Sequence, residues 1–167
     1  EAEIARLEAI FSLYRAGSDL SRLNAAGTLA APPFELLECL GMAGGVHAAS
    51  GGRFDPTVQP LWAAYAEAAA RGGVPEAAAL AQARAVTGWA GVRLDPARIT
   101  LPRGGAITLN GIAQGYVADR VAALLRAEGL DQILIDTGEL RALGGQPEGG
   151  AWPVHLAAGG AVGLQDR

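Results

Sequence analysis

One stretch of the chain decides its fold, Thr108-Leu109-Asn110-Gly111-Ile112-Ala113-Gln114-Gly115-Tyr116-Val117-Ala118-Asp119-Arg120. Residues 107–109 predict a short strand, and Asn110 is expected to act as N-cap of a helix from Gly111 to Glu128 that Gly129 ends. The inner face of this helix is predicted to carry Ala113, Val117, Val121 and Leu124. A helix N-terminus that follows a strand suits an anion such as a pyrophosphate, because its N–H groups lack partners within the helix.

Upstream of this stretch, the pattern is mostly helical. Helices are predicted over residues 2–15, from Pro32-Pro33 loosely on to Gly51-Gly52, after Asp55-Pro56-Thr57, and over residues 75–86. Ser18 to Asn24 reads as a polar loop or short turn. In Asp55-Pro56-Thr57, aspartate is a good N-cap and proline is tolerated at the first helical position.

Short strands dominate the second half. A proline turn predicts a hairpin over residues 92–101, strands follow at 133–135 and 140–143, and a last hairpin joins 154–156 to 162–164. Helices followed by strands predict an α+β fold with an antiparallel or mixed sheet. No linker separates two domains, so residues 1–167 are expected to form one domain. Its last strand leaves an open sheet edge, which predicts that the natural protein continues. The chain opens directly in a helix at Glu1, which indicates a processed or trimmed product, so truncation is expected at both ends.

Composition excludes several classes of protein. The 167 residues are 50% hydrophobic and 18% charged, with a net charge of −4. All 13 basic residues are arginine and are scattered, which argues against a nucleic-acid partner and against a lysine phosphate loop. No apolar run reaches the ~20 residues of a membrane span. Cys39 is expected to be a buried, inert thiol.

Polar residues and glycine concentrate in residues 19–24, in residues 51–58 and in the opening stretch. Each has a structural interpretation: Ser21 and Asn24 as turn formers, Asp55 and Asn110 as helix caps. From the residues alone, these segments support a phosphate-containing ligand and go no further. His47 and His155 lie outside them, and neither is expected to be catalytic.

The order of four segments resembles the ApbE family, the FAD:protein FMN transferases. The family elements S-x-L-N, F-D-P-T-V, G-I-A-K-G-Y-x-x-D-R and G-(D/E)-(I/L)-R-A-L-G correspond here to residues 21–24, 54–58, 111–120 and 138–144. The wording Leu-Asn-Gly-Ile-Ala-Gln-Gly-Tyr is most similar to the NosX-like branch. The resemblance implies an ApbE-like, T-fold-related α+β domain.

The same resemblance implies residue roles. FAD-contact positions are Asn24, Arg53, Phe54, Asp55, Thr108 and Gln114, and the carbonyl of Gly111 is expected to help hold magnesium. The family usually has Asp at the position of Thr108 and Lys at the position of Gln114. Both charges are absent here, as if the pair had been replaced as a unit. Its other magnesium ligands lie in a later segment that residues 1–167 do not include. No catalytic residue is assigned.

The implied activity is magnesium-dependent transfer of FMN from FAD to a threonine hydroxyl of a target protein, with release of AMP. Residues 1–167 alone are expected to be inactive. An FAD pyrophosphatase and a non-catalytic flavin-binding protein stay open as alternatives. The implied partner is an acceptor such as a NosR-like membrane flavoprotein, and the implied location is the periplasm.

Overall fold

Helices dominate the first half of the chain and short strands the second, as the sequence predicts. The computed structural model describes residues 1–156 and 160–164, which fall into two units, Glu1–Gly111 and Ile112–Arg167. The prediction of a single domain over residues 1–167 stays a prediction. The units are therefore described one at a time.

The first unit contains five α-helices. They are α1 (Ala2–Phe11), α2 (Asp19–Ala26), α3 (Phe34–Ala49), α4 (Gln59–Ala70) and α5 (Ala77–Ala85). Short 3-10 turns span Pro56–Val58 and Trp89–Gly91. Helix α3 runs up to the Gly51-Gly52 pair, and both glycines have positive φ, as a chain reversal requires.

Helix α1 is shorter than the predicted range of residues 2–15. It stops at Phe11 because Ser12 turns the chain away in an extended conformation. The Ser12 hydroxyl then accepts hydrogen bonds from the backbone N–H groups of Tyr14 and Arg15. Tyr14, which follows Phe11 at helical spacing, lies beyond the helix and is 82% exposed.

The loop predicted over Ser18 to Asn24 is wrong, because these residues form most of α2. Ser18 caps this helix by accepting the N–H of Ser21 at 3.1 Å. Leu20 and Leu23 are fully buried, and Gly27 ends the helix in the left-handed conformation. Ser18 is itself buried, and Asp19, Ser21 and Asn24 are half-buried, so these polar residues of the segment are packed against the protein along with the apolar ones.

A small antiparallel sheet completes the first unit. Its strands are β1 (Thr28–Ala30), β2 (Arg93–Asp95) and β3 (Arg98–Thr100), in the order β1-β3-β2. The predicted hairpin over residues 92–101 is confirmed, whereas β1 had no signal strong enough to be predicted. Ile99 faces Leu29 on one side and Leu94 on the other, and Ile99 is fully buried.

Residues 107–109, predicted as a strand, pair with no strand among the residues that the structure describes. The N–H and carbonyl of Ile107 bond to the side chain of Asn24, and the N–H of Thr108 bonds to the carbonyl of Pro56. Ile107 and Leu109 are buried as the apolar pattern requires. The segment is therefore held like a strand, but by side-chain and loop partners.

The second unit pairs one helix with two hairpins. Helix α6 (Ala113–Ala127) precedes β4 (Ile133–Asp136) and β5 (Leu140–Leu143), which pair antiparallel; β6 (Trp152–Leu156) pairs antiparallel with β7 (Gly160–Leu164). Ala122, Ile135 and Leu143 form the core between α6 and the first hairpin. Gly129 ends α6 with positive φ, as predicted.

The observed α6 differs from the predicted helix in its first residue, its N-cap and its buried face. The helix begins at Ala113 instead of Gly111, and its N-cap is Ile112, which provides no side-chain cap. Asn110 is therefore not the capping residue. On the helix, Tyr116, Ala118 and Ala122 are the buried residues, whereas Leu124 is 48% exposed.

The α+β fold class is confirmed, and every strand pairing among the described residues is antiparallel. Within the part of the chain that the structure describes, no helix combines the length and apolar character needed to span a membrane.

Candidate functional site

The segment Arg53-Phe54-Asp55 is fixed by the end of helix α3. The N–H of Phe54 donates to the hydroxyl of Ser50 at 3.0 Å, and the carbonyl of Phe54 lies 2.8 Å from Nδ1 of His47. Arg53 is exposed, and its Nη1 donates to the carbonyl of Ser50 at 3.2 Å. The Phe54 peptide is thus held at both polar ends, while the Arg53 guanidinium still faces solvent.

Asp55 is a helix cap, as the sequence predicts. Its Oδ1 accepts the N–H of Thr57 at 2.8 Å and the hydroxyl of Thr57 at 2.6 Å. The Thr57 hydroxyl in turn accepts the N–H of Gly88 at 2.7 Å, and Thr57 is buried. Oδ2 of Asp55 lies 4.0 Å from Nδ1 of His47. One carboxylate oxygen is therefore committed to the cap, and the other lies beside a histidine.

Asn24 holds the second segment of the site. Its Nδ2 donates to the carbonyl of Ile107 and its Oδ1 accepts the N–H of Ile107, both at 2.8 Å. This two-point contact satisfies both backbone groups of a residue that is fully buried. Asn24 is thus a structural support of the loop that carries Thr108, a role that the turn-former interpretation does not describe.

The loop from Thr108 to Gly111 lies against the Phe54 segment. The N–H of Thr108 donates to the carbonyl of Pro56 at 2.8 Å. A Cβ built on Gly111 would lie 3.1 Å from Cε2 of Phe54, so the ring lies against this glycine. Asn110 and Gly111 are exposed. The structure thus brings together the predicted residues Arg53, Phe54, Asp55, Thr108 and Gly111, with Asn24 behind them.

Gln114 belongs to the second unit, at the start of α6. Its side chain is exposed and lies close to Gly138, where an added Cβ would be 3.1 Å from its Nε2. Gly138 has positive φ, so glycine is required there for two reasons. Within this unit, Asp119 forms an ion pair with Arg141 at 2.6 Å, as expected for a surface helix residue.

No motif in the sequence indicates that His47 is part of the site. Its ring lies with its centroid 6.3 Å from that of Trp89, and a Cβ on Gly44 would lie 2.8 Å from the same indole. Thr57 stands inside the F-D-P-T-V element, yet its contact with Gly88 joins residues 31 positions apart. Both are detectable only once the fold places them beside Asp55.

The described residues do not by themselves fit a magnesium site. Residues 1–156 and 160–164 contain no group of three or more His, Cys, Asp or Glu side chains placed to hold a metal ion. The carbonyl of Gly111 is a single neutral oxygen, and Mg²⁺ gives up its hydration shell reluctantly. The role predicted for this carbonyl stays a prediction.

Cys39 is not a candidate nucleophile. It is fully buried in α3, and this burial, with a smaller contribution from the charge of Glu38, raises the pKa of its thiol to about 12. The thiolate is the reactive form, so the thiol is inert at neutral pH. The prediction of a buried, inert cysteine is confirmed.

The fold is that of solved flavin transferases. The Pseudomonas stutzeri flavinyl transferase ApbE is 31% identical with a TM-score of 0.86, over 98% of this chain and 55% of that one. Two further structures show the same fold at 23% identity. They are the flavin transferase ApbE of Vibrio cholerae (TM-score 0.82, 98% of this chain and 56% of that one) and the ApbE protein of Thermotoga maritima (0.79, 92% and 52%).

The ApbE family model matches residues 1–163. The chain therefore belongs to the ApbE family, and the resemblance read from its four segments is confirmed. No curated protein matches the sequence. The chain spans about half the length of the solved relatives, 55% in the case of the Pseudomonas stutzeri protein.

Proposed function

We propose that the protein is an FAD:protein FMN transferase, which moves the FMN part of FAD onto a threonine hydroxyl of a target protein and releases AMP. The observation that carries this proposal is the meeting of the F-D-P-T-V element with the loop before α6, through the Thr108–Pro56 hydrogen bond and the Phe54–Gly111 contact. Membership of the ApbE family supports it.

In this reaction, the threonine oxygen bonds to the FMN-side phosphorus of FAD. The bond from that phosphorus to the bridging oxygen breaks, AMP leaves with that oxygen, and the hydroxyl proton passes to a base or to water. Phosphoryl-transfer chemistry depends on positioning and electrostatics more than on a protein nucleophile.

The described residues would serve this reaction by binding. Phe54 offers an apolar ring at the edge of the site, and the exposed guanidinium of Arg53 can pair with phosphate oxygens. Thr108 and Gln114 stand at positions where the family usually has charged residues. Each could therefore offer FAD only a neutral hydrogen bond. Asp55 contributes a fixed negative charge.

Magnesium dependence is part of the proposal on the strength of the resemblance. Its ligands would have to come mainly from outside the residues described, because these do not fit a magnesium site by themselves. The polypeptide of residues 1–167 is expected to be inactive for the same reason, namely that it supplies too few magnesium ligands by itself.

The setting is also proposed from the resemblance. A NosX-like member would act in the periplasm on an acceptor protein such as a NosR-like membrane flavoprotein. Loss of covalent flavin from that acceptor when the gene is deleted, with recovery on complementation, is the expected result. An acceptor that keeps its flavin after deletion would contradict this setting.

Transfer is tested by in-gel flavin fluorescence of a threonine-containing acceptor incubated with FAD and magnesium. We expect the complete gene product to label the acceptor and residues 1–167 alone to leave it unlabelled. An acceptor with threonine replaced by valine is the matched control. Labelling by residues 1–167 would show that the necessary ligands lie within them.

Analysis of the same reaction mixture for free FMN and AMP separates the alternatives. Release of FMN and AMP without labelling would identify an FAD pyrophosphatase, and FAD binding without either product would identify a flavin-binding protein. Titration should also show tighter binding of FAD than of riboflavin. Equal affinity would contradict a phosphate site near Gly111.

A further inference from the structure

The last turn of helix α3 carries a histidine, His47, that holds the Phe54 peptide. Nδ1 of His47 lies 2.8 Å from the carbonyl oxygen of Phe54. A carbonyl oxygen can only accept a hydrogen bond, so Nδ1 must be the donor and must carry a hydrogen. The neutral ring is therefore the Nδ1–H tautomer, with Nε2 as the unprotonated nitrogen.

The ring is held by its surroundings. The indole of Trp89 lies beside it at a tilt of 34°, and Trp89 itself rests on Gly44, where no side chain would fit. On another side, Gly52 would place a Cβ 3.6 Å from Cε1 of His47. The His47 side chain is 24% exposed, so most of it is covered by its neighbours.

Two neighbouring groups of the site depend on this contact. The backbone carbonyl that His47 holds belongs to Phe54, whose ring touches Gly111, and the next residue is Asp55. Oδ2 of Asp55 lies 4.0 Å from the same Nδ1. Rotation of the Phe54–Asp55 peptide would move the aromatic ring and the carboxylate together.

We propose that His47 is a positioning residue of the flavin site: as an Nδ1–H donor, it fixes the orientation of Phe54 and Asp55. The part of this proposal that concerns FAD rests on the proposed function. The tautomer follows from the geometry alone, so the two parts can be tested separately.

The first test measures the tautomer in the wild-type protein. Two-bond ¹H–¹⁵N correlations of the imidazole, recorded where the ring is neutral, should show the hydrogen on Nδ1 of His47. His155→Gln assigns the signals by removing the other histidine of residues 1–167, which lies in β6. A hydrogen on Nε2 would overturn the proposal whatever the protein binds.

The second test separates positioning from stability. In His47→Asn the amide nitrogen lies as many bonds from Cα as Nδ1 does, whereas in His47→Gln it lies one bond further. We expect FAD affinity to fall roughly tenfold in His47→Gln, the effect of one lost hydrogen bond, and His47→Asn to recover most of it. Thermal midpoints of the two variants should agree, since both remove the ring.

The outcomes are distinct. Equal FAD affinity in His47→Asn, His47→Gln and the wild type would overturn the positioning role while leaving the proposed function in place. Affinities that fall in parallel with the thermal midpoints in both variants would also overturn it, because they indicate a stability effect only. A wild-type protein that binds no FAD would overturn the proposed function and with it the flavin role of His47, even where the Nδ1–H tautomer is observed.

Discussion

The two segments that form the candidate site are held in different ways. The segment from Arg53 to Val58 is fixed largely by residues nearby in sequence: Ser50 and His47 hold Phe54, and Asp55 caps its own helix through Thr57. The segment from Ile107 to Gly111 is fixed by Asn24, which is 83 positions away, and by Pro56.

This difference explains which predictions succeeded. Asp55 is the predicted cap because a capping interaction depends on neighbouring residues. Residues 107–109 looked like a strand because buried apolar residues alternate there, but an alternating pattern does not tell which groups satisfy the backbone. Asn110 was expected to cap α6, whereas the asparagine that matters for this segment is Asn24.

The largest expected effect comes from replacing Asn24 with alanine. Asn24→Ala leaves the buried N–H and carbonyl of Ile107 without their partners, and we expect a loss of about 3 kcal/mol in the free energy of unfolding. Asn110→Ala is the matched control: the residue is exposed and caps no helix, so its effect should stay within about 0.5 kcal/mol. Urea unfolding measures both, and similar values for the two variants would contradict the distinction.

A smaller effect is expected at Thr57. Thr57→Val keeps the shape but removes the hydroxyl that joins Asp55 to the N–H of Gly88, so we expect about 2 kcal/mol of destabilisation. Thr57→Ser keeps the hydroxyl and loses one buried methyl group, at a cost of about 0.8 kcal/mol. If the serine variant were the less stable of the two in urea unfolding, packing and not hydrogen bonding would hold this contact.

Asp55 tests whether the locally held segment serves more than the fold. Asp55→Ala should cost about 1 kcal/mol through the lost cap, while Asp55→Asn should keep stability, because asparagine caps nearly as well. We expect Asp55→Asn nevertheless to lower FMN transfer, since it removes the charge beside His47. Thermal unfolding and the acceptor-labelling assay measure the two effects, and unchanged transfer would return Asp55 to a purely structural role.

The smallest expected effect is at Gly111, where the two segments touch. Gly111→Ala brings a methyl group 3.1 Å from the Phe54 ring, which can shift by a few tenths of an ångström, so we expect no more than about 0.5 kcal/mol of destabilisation. Gly115→Ala is the control within α6. It meets no atom within 4 Å and should be stabilising by up to ~1 kcal/mol. A larger loss at Gly111 would show that the contact between the segments is rigid.

The sequence by itself determined the α+β class, the hairpin over residues 92–101, the strands at 133–135 and 140–143, the Asp55 cap and the ApbE family. These depend on local patterns or on the order of short elements, both of which are visible along the chain. It also contained the signals for α2, with Ser18 as cap, Leu20 and Leu23 as buried anchors and Gly27 as stop, but the polar residues between them indicated a loop.

Only the tertiary structure decided how the site is held. The contacts of Asn24 with Ile107 and of Thr57 with Gly88 join residues that are 83 and 31 positions apart. Such contacts leave no periodic pattern in the sequence. Until the fold brings the two residues together, either one could form hydrogen bonds with many other groups. For the same reason His47, which matches no motif, becomes a candidate positioning residue only when the end of α3 places its Nδ1 against the carbonyl of Phe54.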